Sequence, residues 1–233
     1  MCPKTQDERE KMRTCPYDST VESLMYAMLC TRSDSSHAIS IASRYQSNPG
    51  PEHWTAVKHI LKYLNRTKHY CLVFGGEDLT IYGYTDSDFQ SDIDDRKSTS
   101  GFVLNLGKGA VSWRSRKQDT TADSTTEAEY VAASEAAKEA IWIRKFVQEL
   151  GIVPSIESPI TVYCDNNGAI AQAKKSRAHQ KSKHIERRFH LIRDIIHRGD
   201  IAIAKIATTD NVADPFTKSL FQKVFEKHID SMG

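Results

Sequence analysis

The chain of 233 residues lacks long apolar runs and has few cysteines. No stretch approaches the roughly 20 apolar residues that a membrane-spanning helix needs. The polar N-terminus also lacks the apolar core of a secretory signal. The five cysteines are scattered, odd in number and form no Cys-x-x-Cys pair, which excludes the usual disulfide framework and the usual zinc site. We therefore expect an intracellular protein, cytoplasmic or nuclear, with no membrane partner.

Charge is nearly balanced in total, with a net charge of +2, but it is uneven along the chain. Residues 86–95 contain five Asp and no basic residue, whereas residues 174–198 contain nine Lys or Arg, two acids and four His. An acidic region and a basic helix in one domain indicate a metal-dependent enzyme that acts on a polyanion. Charge alone is equally compatible with two ordinary solvated surfaces.

The periodicity of apolar residues divides the chain into three parts. Residues 1–16 read as a disordered lead-in, and residues 17–78 read as a small helical segment that ends in a short strand, Tyr70–Phe74. From residue 79 to 233, three strands precede a long helix, and strands then alternate with helices. This order predicts an α/β domain with a mixed five-stranded sheet and helices on both faces.

The long helix predicted from Ser124 to Leu150 carries one acid on its apolar face. Reading the helix at 3.6 residues per turn gives a stripe that leads back to Glu129, whereas Glu127 falls on the solvent side. The stripe is Ala132, Ala133, Ala136, Ala140, Ile143, Val147 and Leu150. A carboxylate in line with a buried face is costly unless it has a hydrogen-bond partner or a metal ion.

Three further acids occupy informative places. Asp86 falls in the first strand of the sheet, Asp165 ends the strand after the long helix, and Asp214 begins a helix after the final strand. Each could simply cap a turn or a helix. Four carboxylates at one place would repel one another unless cations neutralise them, and oxygen ligands select Mg²⁺ or Mn²⁺. Together with Glu129, the three acids favour a site for two such ions.

At these residues the chain resembles the ribonuclease H domain of copia-type retrotransposon Pol polyproteins. The motifs that carry the resemblance are YGYTDSDFQSDIDDRKSTSGFVLNLGKGAVSW, STTEAEYVAASEA, YCDNNGAI, KHIERRFHLIR and NVADPFTK. Residues 17–78 are similar to the thumb or connection region that follows the palm of the reverse transcriptase in those polyproteins.

The resemblance implies an RNase H-like fold and an endoribonuclease that hydrolyses the RNA strand of RNA–DNA hybrids. It assigns Asp86, Glu129, Asp165 and Asp214 to catalysis and to the binding of two Mg²⁺ ions, with Mn²⁺ as the alternative. The products would carry a 3′-hydroxyl and a 5′-phosphate. It also implies the remaining reverse-transcriptase domains as a partner, and a virus-like particle as the location if the element is active.

Two absences qualify this expectation. Many ribonucleases H have a catalytic histidine between the last strand and the last helix, but here that loop is Thr209, Asp210 and Asn211. His179, His184 and His190 could replace it or contact phosphate. The sequence also has no Tyr-x-Asp-Asp palm motif, so the chain alone is not expected to polymerise DNA.

Cationic and polar groups should flank the acids if a hybrid lies across them. The candidates for nucleic-acid contacts are Lys174, Lys175, Arg177, Lys181, Lys183, Arg187, Arg188, Arg114 and Asn166. Gln118 is a further candidate for recognising the RNA strand through its 2′-hydroxyls.

Two other functions remain open at this point. The first is a catalytically silent remnant of a retroelement that binds nucleic acid or a protein partner through the basic helix. The second is a protein-interaction module that uses the first three helices. The intact acid quartet favours the enzyme, whereas the lack of a polymerase half favours the remnant.

Overall fold

The computed structural model describes residues 2–75, 79–151, 158–175 and 191–233. The chain divides into two compact units, Met1–Leu72 and Val73–Gly233. None of the helices in the described ranges is both long and apolar enough to span a membrane.

The first unit is a small helical assembly with its own core. Its α-helices are α1 (Gln6–Arg13), α2 (Tyr17–Cys30), α3 (Ser36–Ser43) and α4 (Pro51–Arg66). Buried Val21, Ile39 and Val57 lie at the centre of this core. The three helices predicted from the sequence are therefore those found in α2, α3 and α4.

Helix α1 lies where the sequence predicted a disordered lead-in. The Thr5 hydroxyl accepts a hydrogen bond from the Glu8 backbone N–H, and the Glu8 carboxylate accepts one from the Thr5 backbone N–H. This reciprocal pair satisfies two N–H groups at the start of the helix. Met12 of this helix is also buried in the core of the unit, so α1 packs with the other helices of the unit.

The second unit is built on a mixed five-stranded sheet, as predicted. Its strands are β1 (Ile81–Ser87), β2 (Thr99–Leu106), β3 (Gly109–Lys117), β4 (Ile160–Cys164) and β5 (Ile201–Lys205). Their order across the sheet is β3-β2-β1-β4-β5. The pairs β1–β2 and β2–β3 are antiparallel, whereas β1–β4 and β4–β5 are parallel. Its helices are α5 (Thr125–Leu150), α6 (Asn167–Lys174), α7 (Leu191–His197) and α8 (Gln222–Asp230).

Helix α5 covers one face of the sheet. The predicted stripe from Ala132 to Val147 is buried, and from Ala133 onward it packs with apolar residues of four strands and of α6 and α7. The prediction that Leu150 ends the buried stripe is wrong, because its side chain is half exposed. On the opposite face, the Asn105 side-chain amide donates a hydrogen bond to the Ser231 carbonyl just after α8. Helices therefore cover both faces, and the predicted α/β architecture, a mixed five-stranded sheet between helices, is confirmed.

The strand predicted at Tyr70–Phe74 does not form. Instead, the Val73 backbone N–H donates a hydrogen bond to the carbonyl of Gly233 at the end of the second unit. The division between the units accordingly falls after Leu72, whereas the sequence placed it after residue 78.

Candidate metal centre

Asp86 lies near the end of β1, the central strand of the sheet. It faces Gly101 of β2 in the antiparallel register, and only 3% of its side chain is exposed. A Cβ atom on Gly101 would lie 2.7 Å from the side chains of both Phe216 and Thr217. The glycine therefore allows the segment after β5 to pack directly against the strand beside Asp86.

Glu129 reaches the same end of the sheet from the second turn of α5. The Ser124 side chain caps this helix by accepting a hydrogen bond from the Glu127 backbone N–H at 3.2 Å. The backbone N–H of Ser87, at the end of β1, hydrogen-bonds to the Glu129 carboxylate. Glu129 is buried, as its place on the apolar stripe predicted.

Asp165 directly follows β4, which runs parallel to β1. The carboxyl ends of neighbouring parallel strands lie together, and this is where open α/β sheets bind ligands. One ligand atom from each of Glu129, Cys164 and Asp165 lies within 4.8 Å of the others. The Asn166 side chain caps α6 by accepting a hydrogen bond from the Ala169 backbone N–H at 3.0 Å, which fixes the turn after Asp165.

Asp214 begins a 3₁₀ turn, Asp214–Phe216, where the sequence predicted the start of an α-helix. Just beyond the turn, the Thr217 hydroxyl donates a hydrogen bond to the Asp86 carboxylate. The Lys218 Nζ atom lies 3.0 Å from Asp214 Oδ1 and 3.5 Å from Asp86 Oδ2. This segment therefore joins the fourth acid to the first.

Burial and the repulsion of neighbouring carboxylates shift the pKa values of Asp86, Glu129 and Asp214 upward. Burial, together with the charges of Asp86 and Asp165, raises the pKa of Glu129 to about 9. Burial and the Asp86 charge raise the pKa of Asp214 to about 6. Burial also raises the pKa of Asp86, against the lowering effects of Lys218 and Thr217. All four predicted acids therefore meet closely enough to repel one another.

The donor set of this site suits hard divalent cations. It consists of four carboxylates, and the nearest soft donor, the Cys164 thiol, has its pKa raised to about 12 by burial and by the Glu129 charge. A buried thiol that resists deprotonation is a poor metal ligand, whereas carboxylate oxygens are preferred by Mg²⁺ and Mn²⁺. The carboxylates present therefore fit a hard divalent cation such as Mg²⁺ or Mn²⁺.

Four of the nine predicted nucleic-acid contacts lie within the described residues. Lys174 and Lys175 are exposed at the C-terminal end of α6, and Arg114 is exposed on β3. Asn166 lies beside Asp165, but its side-chain oxygen is used to cap α6. The remaining candidates and the three histidines lie outside the described residues: Arg177, Lys181, Lys183, Arg187, Arg188, His179, His184 and His190.

Gln118 is buried, so the expectation that it contacts RNA is not supported by its position. Its side-chain Nε2 donates hydrogen bonds to the Ser100 hydroxyl and the Ala128 carbonyl, both at 2.9 Å, and lies 3.3 Å from the Ser87 hydroxyl. Gln118 thus ties the end of β1 to the start of α5, next to Glu129.

Sequence reasoning missed Lys218 and Thr217 as members of the site. Both lie within the NVADPFTK motif, and Lys218 stands four residues after Asp214. That spacing is a known signal for an ion pair on a helical turn, and it could have identified Lys218 as a partner of Asp214. Nothing local in the sequence indicates the contacts of either residue with Asp86.

Pol polyproteins of plant transposons are among the proteins whose sequences are similar to this chain. The chain is 48% identical over 226 residues to the retrovirus-related Pol polyprotein from transposon TNT 1-94 of Nicotiana tabacum. It is 35% identical over 218 residues to that from transposon RE2 of Arabidopsis thaliana. These alignments cover 97% and 93% of this chain.

The chain belongs to the copia-type retrotransposon Pol polyproteins. It spans 17% of the length of the tobacco polyprotein and 15% of that of the Arabidopsis polyprotein. No protein-family model matches this copia-type chain. Among solved structures, it is similar to LC11-RNase H1 isolated from compost, with 18% identity, a TM-score of 0.44, and coverage of 64% of this chain and 97% of that one.

Proposed function

We propose that this copia-type chain is an endoribonuclease that hydrolyses the RNA strand of RNA–DNA hybrids with two divalent metal ions. The observation that supports this most is the convergence of four acids, three of them buried, at the end of strands β1 and β4. A group of carboxylates is costly to bury unless cations offset the repulsion. Such a group at a ligand-binding edge of a sheet is therefore expected to serve a function.

Mg²⁺, with Mn²⁺ as the alternative, is the cofactor that fits this donor set. Asp86, Glu129, Asp165 and Asp214 would hold the two ions, which when bound supply an activated water and stabilise the leaving oxygen of the phosphodiester. The chain's own contribution is to hold these carboxylates in place. The Ser87 N–H orients Glu129, and the Thr217 hydroxyl orients Asp86.

The hybrid would be held mainly through its phosphates. Lys174 and Lys175 lie on the helix that follows Asp165, and they are exposed, so they are available to a polyanion. Such contacts position a duplex without reading its sequence. We propose the remaining reverse-transcriptase domains as a further partner, because the chain aligns with only a fraction of each polyprotein.

We also propose that the chain works inside the cell, in the cytoplasm (in a virus-like particle if the element is active) or in the nucleus. All five cysteines are free, which is typical of a reducing compartment and supports this location.

The test is cleavage of a hybrid labelled separately on each strand, in Mg²⁺, by the wild type and by Asp86→Asn and Glu129→Gln. We expect the wild type to cut only the RNA strand and both variants to lose at least about 10²-fold in rate, as removal of a group that stabilises transition-state charge usually does. Asp230→Asn, at an exposed position at the end of α8, is the matched control and should cut normally.

The same assay also tests a second function, that of a catalytically silent remnant, which one feature of the sequence favours. The loop between β5 and the 3₁₀ turn contains Thr209, Asp210 and Asn211, with no histidine where many ribonucleases H have a catalytic one. A catalytically silent remnant that binds nucleic acid would retain the hybrid in Mg²⁺ and in Mn²⁺ without cutting either strand. That result would replace the nuclease with the remnant.

A further inference from the structure

Lys218 lies between two members of the acid quartet, Asp86 and Asp214. Its ammonium lies 3.0 Å from Asp214 Oδ1 and 3.5 Å from Asp86 Oδ2. The two aspartate side chains are almost fully buried, whereas 39% of the lysine side chain is exposed. The charged end of Lys218 therefore reaches into the site from its edge and bridges two carboxylates that belong to distant parts of the chain.

The backbone holds Lys218 in this position. The backbone N–H groups of Thr217 and Lys218 both donate to the Asp214 carbonyl, at 3.1 and 3.2 Å. The Thr217 hydroxyl donates its hydrogen to the Asp86 carboxylate, and its oxygen lies 3.1 Å from the same Asp214 carbonyl. Because Thr217 and Phe216 also pack closely against Gly101, the stem of Lys218 starts from a fixed point beside β1. The hydrogen bonds and packing of the turn therefore hold Lys218 between the two aspartates.

The four acids form two pairs, Asp86 with Asp214 and Glu129 with Asp165. The pairs differ in whether a basic side chain lies beside them. Within the described ranges, the Asp86–Asp214 side holds a lysine ammonium, whereas no basic side chain forms an ion pair with Glu129 or Asp165. A hard divalent cation between Asp86 and Asp214 would bind carboxylate oxygens beside the Lys218 ammonium, and the two positive charges would repel each other strongly at that short distance. Among the described residues, the Glu129–Asp165 side thus has no side-chain cation in an ion pair, whereas an ammonium already lies on the Asp86–Asp214 side.

We propose that Lys218 is a built-in competitor for one of the two metal positions, so that a divalent ion binds between Asp86 and Asp214 only by displacing its ammonium. This inference rests on the proposed metal-dependent function and adds an order of binding to it. The ion on the Glu129–Asp165 side binds first, and the ion on the Asp86–Asp214 side binds second and more weakly. Lys218 keeps the buried aspartates neutralised until that second ion arrives.

The test is calorimetric titration of the metal-free chain with Mn²⁺, together with thermal melting in EDTA and in Mn²⁺. The variants are Lys218→Met, which removes the charge, and Lys218→Arg, which keeps it. Lys223→Met, at an exposed position of α8, is the control for the loss of one surface charge. Lys218→Gln keeps a polar group near the aspartates, and it replaces Lys218→Met if that variant does not fold without metal.

We expect the wild type to show a tight and a weaker binding step. Loss of the lysine charge should tighten the weaker step by about tenfold, the effect of removing one competing charge-assisted contact. It should also lower the melting temperature in EDTA and enlarge the rise produced by Mn²⁺. Lys218→Arg and Lys223→Met should keep both binding steps as in the wild type.

Two results would overturn the inference. One leaves the proposed nuclease function intact, and the other removes that function as well. If the wild type binds Mn²⁺ and the charge-removing variant binds it equally well or more weakly, Lys218 does not compete for the site, and the proposed nuclease stands. If neither protein binds Mn²⁺, the metal centre itself fails, and the proposed function fails with it.

Discussion

The Thr217 hydroxyl donates a hydrogen bond to the carboxylate of Asp86, a residue 131 positions earlier in the chain. Both side chains are buried, so water cannot replace the lost donor. We predict that Thr217→Val, which keeps the shape but removes the hydroxyl, lowers the free energy of unfolding by about 1–3 kcal/mol. Chemical denaturation measures this change.

Thr217→Ser is the control for this prediction, because it retains the donor and removes only a methyl group. The serine variant should keep most of the hybrid cleavage, whereas the valine variant should lose it together with the orientation of Asp86. Equal activity in the two variants would show that the hydrogen bond does not matter for the site.

The raised pKa of Glu129 predicts that the metal-free chain becomes less stable as the pH rises. The folded chain holds its proton up to about pH 9, whereas the unfolded chain releases it near the ordinary value of 4.5. Between these values the folded state binds more protons, so the free energy of unfolding falls as pH rises, by at most about 1.4 kcal/mol per pH unit for one proton. Asp214, with a pKa of about 6, adds to the slope in the lower part of that window.

Chemical denaturation in EDTA from pH 5 to 9 checks this slope. Glu129→Gln should flatten it, because the variant has no proton to lose at that position. Glu149→Gln, at an exposed position near the end of the same helix, should leave the slope as in the wild type. A wild-type stability that rises across this range would contradict the assigned burial of Glu129.

Gln118 is predicted to support the site without contacting the substrate. Gln118→Leu removes the amide that donates to β2 and α5 and contacts β1, so it should destabilise the chain by about 1–3 kcal/mol. Hybrid affinity, measured by fluorescence anisotropy under conditions where the variant is folded, should stay unchanged. A large loss of affinity in a fully folded variant would restore Gln118 as a contact for RNA.

Lys174 and Lys175 are predicted to bind phosphate. The double change to Ala should weaken hybrid binding at low salt and reduce the slope of log affinity against log salt by up to about 1.8, since each phosphate contact adds about 0.9. The matched control is the double change of Lys108 and Lys223, two exposed lysines of the same unit, to Ala. An unchanged affinity and slope in the Lys174 and Lys175 variant would remove both residues from the binding surface.

The four acids could be predicted from the sequence because each has a local signal. Glu129 interrupts an apolar stripe of a long helix, and Asp165 follows a short apolar strand. Asp86 falls in a strand, and Asp214 follows the last strand. The order of the strands and helices was then sufficient to predict a mixed sheet that brings these positions together.

The parts of the site that were not predicted depend on contacts between distant residues. Thr217 and Lys218 contact Asp86 only because the 3₁₀ turn packs against Gly101, a tertiary event with no local signal. Glu127 was placed on the solvent side by helical periodicity, but it is buried. Its carboxylate accepts a hydrogen bond from the Asp123 backbone N–H at the start of α5. The hydrogen bond at the start of the helix therefore holds Glu127 in a buried position that helical periodicity does not predict.

The single-turnover rate of hybrid cleavage as a function of Mg²⁺ concentration tests the central claim most directly. If the quartet holds two catalytic ions, the wild type will not cut in EDTA, and its rate will rise more steeply than in first order with Mg²⁺ before it saturates. RNA cleavage that persists in EDTA, or no cleavage at any concentration of Mg²⁺ or Mn²⁺, would contradict the account.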